Sequence, residues 1–208
     1  MRALLVWMLM CGAAWSEGER AGAFDYYVMA LSWSPNWCAT TGDERGADQC
    51  DPKHDYGWIL HGLWPQNERG YPSNCRSSER NPSRGETNAM SDIMASGGLA
   101  WHQWKKHGRC SGLSSEDYFN LSREAYASIQ RPDVFRKLSK TVKVPAKVVE
   151  EAFLKDNPNL SADMITITCK GRHIQEARVC LTKDMQPRIC GRDVIRDCSA
   201  SALFDPIR

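Results

Sequence analysis

Past its N-terminal segment the chain carries eight cysteines: Cys38, Cys50, Cys75, Cys110, Cys169, Cys180, Cys190 and Cys198. An even set in an exported chain is expected to form disulfides. The rival is metal thiolates, but no two of these cysteines stand as close as the C-x2-C pairs that structural zinc sites favour. Cross-linking is therefore the strongest constraint on the fold, because it ties segments far apart in sequence into one framework. Eight cysteines allow on the order of a hundred pairings, and spacing alone does not choose among them.

Export is written at the N-terminus. Met1-Arg2 precedes an apolar run from Ala3 to Trp15, followed by Ser16-Glu17-Gly18-Glu19. A basic residue, a short apolar run and a small-residue exit describe a signal peptide over 1–16, with Ala14 and Ser16 at the −3 and −1 positions. A retained anchor is the alternative, but the run is short for a membrane span. Cys11 would suit a lipoprotein signal, except that Met10 is bulky where a small residue is wanted. No other stretch could span a bilayer. The 208 residues are long enough for one domain with a substantial core, expected over 17–208. The formal net charge of +2 gives no global signature of a nucleic-acid binder. Any such function must come from a local site.

Strands are expected at both ends and helices between them. Phe24 to Trp33 alternates with bulk on both sides, which predicts a central strand ended by Pro35. Gly57 to Leu63 predicts a second buried strand stopped by Pro65. Residues 66–88 read as a long irregular segment that Cys75 could tie down. A helix is predicted from Ala89 to Leu99, ended by Gly97-Gly98, and another from Ala100 to Gly108. Ser114 with Glu116 and Asp117 marks a helix start, Val134 to Leu138 a short helix, and Pro145 a further helix that Asn157-Pro158 stops. Met164 to Lys170 and His173 to Thr182 read as a hairpin, with Met185 to Cys190 extending the sheet. The expected class is α+β: a central antiparallel sheet flanked by helices, in one disulfide-stapled domain.

Two stretches concentrate the chemistry. Trp58-Ile59-Leu60-His61-Gly62-Leu63-Trp64-Pro65 and Trp101-His102-Gln103-Trp104-Lys105-Lys106-His107-Gly108-Arg109-Cys110 hold four of the eight Trp and three of the five His. On a helix, His102, Gln103, Lys106 and His107 share an arc of roughly 140 degrees, while Trp104 and Lys105 point elsewhere. Two imidazoles, an amide and an ammonium suit an anion with labile protons. The zinc-protease pattern has two His at i, i+4 with a Glu between them; here the spacing is five and no Glu intervenes, so no metal and no cofactor are expected. Taken singly, a His in an apolar strand or a Lys/His helix surface is usually structural. Taken together they read as a site. Gly62 lets another group approach closely, and Cys75 and Cys110 follow the two stretches and could tie them. Such a bond would close a loop of roughly 36 residues, worth about 3–4 kcal/mol in the chain-entropy view.

These residues resemble the ribonuclease T2 family of secreted RNases. The segment from Phe24 to Pro35 resembles the family's first core strand. Trp58 to Pro65 resembles its first active-site signature, and His102 to Cys110 its second, usually H-E-W-x-K-H-G-T-C. The resemblance implies His107 as the base toward the ribose 2′-OH and His61 as the acid toward the leaving 5′-oxygen. It further implies Lys106 at the phosphorane and His102 at the phosphate. Trp64 and Tyr71 match the aromatic base platform, Gln66 stands where some relatives place an acidic base-reading residue, and Leu99 stands where the second base site often has an aromatic. The implied activity is endonucleolytic cleavage of single-stranded RNA with little base specificity, through 2′,3′-cyclic phosphates to 3′-phosphates.

Gln103 departs from the family pattern, which has Glu. It keeps a hydrogen-bonding oxygen but loses the charge, so a lower pKa for His107 and a changed pH profile are expected. Arg109, where Thr is usual, adds local positive charge. The family also implies the pairs Cys75–Cys110 and Cys169–Cys198, leaving Cys38–Cys50 and Cys180–Cys190 as local staples. RNA is the expected partner of a monomeric protein, periplasmic or extracellular, free of the membrane once the signal is removed. The alternative is a catalytically weakened RNA-binding or toxin-like protein on the same fold.

Overall fold

The computed structural model describes residues 19–208, so the expected signal peptide over 1–16 lies outside the described residues. Six strands form one sheet: β1 (Tyr26–Trp33), β2 (Trp58–Gln66), β3 (Val142–Val144), β4 (Ile165–Lys170), β5 (His173–Leu181) and β6 (Ala202–Phe204). Their order is β2-β1-β5-β6-β3, with β4 also paired to β5. Pairing is antiparallel except where β6 meets the first residue of β5 in parallel. The helices are α1 (Ser34–Trp37), α2 (Arg84–Asn88), α3 (Ser91–Met94), α4 (Gly97–Lys106), α5 (Ser115–Ser128) and α6 (Ala146–Asp156).

Strand β1 is buried along its whole length, as its two apolar sides require. Tyr27, Met29, Leu31 and Trp33 face the main core, which also takes Trp104 of α4, Tyr118 of α5 and Phe153 of α6. Tyr26 and Val28 face the other side and pack with Cys180, Cys190 and Val194. The Cys180–Cys190 disulfide holds the C-terminal segment over that second face. A cleft lined in part by Val28 and Val194 opens beside it.

Several boundaries differ from the sequence expectation for identifiable reasons. Strand β2 does not stop at Pro65 but continues to Gln66, with Pro65 opposite Tyr27. It is an edge strand, where a missing N–H costs no ladder bond. Gly97-Gly98 open α4 rather than closing the preceding helix. Ser96 caps the start, accepting from Leu99 N at 3.1 Å, and Ala95 ends α3 in the left-handed region at φ 64°. A Cβ at Gly97 would stand 2.2 Å from Asn88 Oδ1, which accounts for glycine there. Residues 185–190 add one isolated bridge, Leu181 to Pro187, not a strand. Strands β3 and β6, three residues each, carried no pattern long enough to read.

Four disulfides join Cys38–Cys50, Cys75–Cys110, Cys169–Cys198 and Cys180–Cys190. Cys75–Cys110 pins the loop after β2 to the segment after α4, and Asn74 N donates to Lys106 O at 2.8 Å beside it. Its cysteines are 35 residues apart, against 12 for Cys38–Cys50. Replacing Cys75 and Cys110 together by Ser is therefore expected to lower the unfolding free energy by about 3–4 kcal/mol, and replacing Cys38 and Cys50 by about 2–3 kcal/mol. Denaturant titration of the two double variants measures the ranking, and a larger loss for the shorter loop would contradict it.

Candidate active site

In a regular strand, residues three apart point to opposite faces, so His61 and Trp64 should not meet. They do, because the β1–β2 register breaks. Leu31 pairs with Leu60 and Ala30 with Gly62, which leaves His61 as an extra residue. This bulge re-aims the strand. Leu60 and Leu63 both enter the main core, while His61 and Trp64 share the cleft face with ring centroids 5.5 Å apart, edge to face. Gly62 fills the slot beside them. A Cβ there would stand 2.3 Å from Gln103 Oε1 and 2.4 Å from Trp64 Nε1.

Helix α4 supplies the second half. Gln103 and His107 lie on the side of the arc turned toward the sheet and are 2% and 5% exposed; His102 and Lys106 lie on the side turned outward, where His102 is exposed and Lys106 half-buried. Trp104 points into the core. Trp64 couples the two halves: its ring stacks on His107 at 5.2 Å, and its Nε1 donates to Gln103 Oε1 at 2.8 Å. Gln103 is thus committed to orienting the indole, a task that needs an acceptor but no charge.

Tyr71 is half-exposed and lies 6.1 Å from the His107 ring. A short turn presents it. Gln66 Nε2 donates to Gly70 O at 3.1 Å, and Gly70 N donates to Asp193 Oδ2 at 2.6 Å. Gln66 lines the cleft, and one of its two amide N–H groups holds this turn. Together these groups border a cleft of about 590 Å³. Leu99 is not among them. It lines a second cavity of about 210 Å³ with Trp37, Gln49 and Ile59, on the other side of His61. His61, Gln175 and Glu176 border both.

Strand β5 contributes two residues that the sequence reading missed. Glu176 is 1% exposed. Its Oε1 lies 2.5 Å from His61 Nδ1, and its Oε2 accepts from Arg178 Nε and Nη2 at 2.8 and 2.7 Å. Arg178 lies over the Trp64 ring at 5.3 Å. The available signal was a Glu and an Arg two apart, hence on one face, in a strand flanked by apolar residues.

The two histidines stand in different electrostatic settings. Burial, reinforced by the positive charges of Lys106, His61 and His102, holds the His107 imidazole down to about 3, so it is neutral near pH 7. Burial alone would push the Glu176 carboxyl up, but the hydrogen bonds and charges of His61 and Arg178 outweigh it and hold Glu176 below its ordinary value. The cleft therefore contains a neutral imidazole that can take a proton, an imidazole backed by a carboxylate, and the cations Lys106 and Arg178 for an anion.

Residues 24–198 match the model of the ribonuclease T2 family. A ribonuclease of Aeromonas hydrophila is 43% identical over 130 residues, covering 60% of this chain and 57% of that protein. A probable ribonuclease of Haemophilus influenzae is 32% identical over 136 residues, covering 59% and 49%. The chain thus spans about half the length of these relatives. Among solved structures, an RNase-related protein from Calystegia sepium superposes with a TM-score of 0.69 at 18% identity, over 89% of this chain and 98% of that one, a likeness of fold. With the family model matched from the first strand to the last cysteine, and both signatures meeting in one cleft, the chain belongs to the ribonuclease T2 family.

Proposed function

We propose that this protein is an endoribonuclease that cleaves single-stranded RNA with little base specificity, by transesterification. The observation that carries the reading is the pair of unlike histidines on either side of Trp64, with cations beside them. His107, neutral and buried, takes the proton of the ribose 2′-OH. The 2′-oxygen attacks the adjacent phosphorus, and the P–O5′ bond breaks. His61 protonates the departing 5′-oxygen. Lys106 neutralises the charge that builds on the phosphorane, and His102, exposed at the rim, holds the phosphate. The product is a 2′,3′-cyclic phosphate, which water opens to a 3′-phosphate with the histidine roles reversed. The nucleophile belongs to the substrate, so the reaction requires no metal-bound hydroxide and DNA cannot undergo it.

The nucleotide whose 2′-OH reacts sits on the His107 side, its base against Tyr71 and Trp64. The leaving nucleotide sits beyond His61, its base in the cavity lined by Leu99. Stacking tolerates any base because each has a π-face. Gln66 gives an amide N–H to the Tyr71 turn and carries no charge to select a base edge, which fits weak base preference. Four disulfides suit an oxidising compartment, and so action in the periplasm or outside the cell after removal of residues 1–16.

Purified, disulfide-intact protein in EDTA is expected to cleave RNA and leave DNA intact. His61→Ala and His107→Ala should each lower RNA turnover by about 10²–10⁴-fold. Cleavage that survives both substitutions, or that extends to DNA, would refute the assignment. RNA bound but never cut by the wild type would favour the weakened-binder alternative.

Gln103→Glu keeps the acceptor for Trp64 Nε1 and adds a negative charge one turn from His107. An opposite charge favours the imidazolium, so the His107 pKa rises and the acid limb that it sets in the kcat/KM profile should move to higher pH. A profile and rate unchanged by Gln103→Glu would show that position 103 does not act on the base.

A further inference from the structure

We propose that Glu176 is the positioning carboxylate of this site, setting the tautomer and direction of His61 from strand β5. The inference rests on the ribonuclease reading and assigns a role that neither signature contains.

Among the described residues, only two carboxylates line the main cleft, Glu176 and Asp193. Asp193 holds the Tyr71 turn by accepting from Gly70 N at 2.6 Å through Oδ2, and its other oxygen meets no histidine. Glu176 is almost wholly buried, and its two oxygens divide the work. One faces His61 Nδ1 at 2.5 Å, and the other is clamped by two nitrogens of Arg178. Burying a charged pair gains little stability over apolar packing, so fold stability alone is a poor reason for it. The β4–β5 register also breaks next to Glu176: Thr168 pairs with Glu176 and Cys169 with Ile174, leaving Gln175 as the extra residue. Against β1 the register of β5 is regular through Ser32 opposite Glu176, so Glu176 keeps its place on the cleft face, where the β2 bulge presents His61.

The hydrogen-bond inventory fixes the consequence. A carboxylate only accepts, so His61 carries its proton on Nδ1 toward Glu176. Nε2 is then the nitrogen that gives a proton to the leaving 5′-oxygen and afterwards holds the lone pair. Arg178 only donates. In a Glu176→Gln variant the amide oxygen must therefore turn to Arg178 and the NH2 to His61. That forces Nδ1 to accept, puts the neutral ring's proton on Nε2 and opposes the doubly protonated ring. The same logic makes loss of an orienting carboxylate costly in serine proteases.

The test compares two substrates on wild type and Glu176→Gln. A ribodinucleotide has an alkoxide leaving group that needs a general acid; a nucleoside 3′-(4-nitrophenyl phosphate) releases a phenolate that does not. For Glu176→Gln we expect kcat on the dinucleotide to fall by about 10²-fold or more, KM to change little, and the aryl ester to lose less than about tenfold. The 15N shifts of His61 should report Nδ1–H in the wild type and Nε2–H in the variant. Equal losses on both substrates, no loss on either, or an unchanged tautomer would overturn the proposal. Glu176→Asp keeps the charge, should recover part of the dinucleotide rate, and reads the same ratio if Glu176→Gln does not fold. A wild type that cleaves neither substrate would sink the ribonuclease reading itself, whereas a wild type that cleaves both alongside an indifferent variant would sink this inference alone.

Discussion

One extra residue in an edge strand is the constraint on which the site depends. Without the bulge at His61, the two-residue period of β2 would send either His61 or Trp64 into the core. With it, Leu60 and Leu63 anchor the strand inside while His61 and Trp64 stand together outside. Gly62 is the hinge of that arrangement, because any side chain there would displace the Trp64–Gln103 hydrogen bond. The position of the bulge therefore decides where the indole, the amide and both imidazoles meet.

The second organising feature is the contrast between the two imidazoles. His107 ends a helix, is buried and is surrounded by positive groups, so it stays neutral. His61 projects from a strand against a buried carboxylate that is itself held by a guanidinium. Two residues of one type thus stand in unlike settings, one beside cations and one against a carboxylate, as the proposed base and acid would require. Cys75–Cys110 and the Asn74–Lys106 backbone bond keep the helix end and the loop after β2 at a fixed distance, so the two settings persist together.

Much of this was legible from residue patterns, and the failures share one cause. The strands β1, β4 and β5 were readable because their side chains alternate, and the arc of α4 because four polar residues recur at helical spacing. The signature residues His61, Gln103, Lys106 and His107 do converge on one cleft. Bulges and tertiary partners were not legible. A bulge is a relation between two strands, and nothing local marks His61 as the residue left unpaired. Glu176 and Arg178 gain meaning only when β5 lies two strands from β2 across β1. Pro65 misled because edge and central strands look alike in sequence, and Gly97-Gly98 misled because paired glycines can open a capped helix as well as end one.

The most direct measurement is a crystal structure with a 2′-deoxy dinucleotide, which binds but cannot react. The phosphate should lie between His61 and His107 with Lys106 in contact and the upstream base against Tyr71. The downstream base should sit in the cavity that Leu99 lines, with His61 Nε2 toward the 5′-oxygen. A phosphate bound away from either histidine, or both bases on one side of His61, would contradict the proposed mechanism.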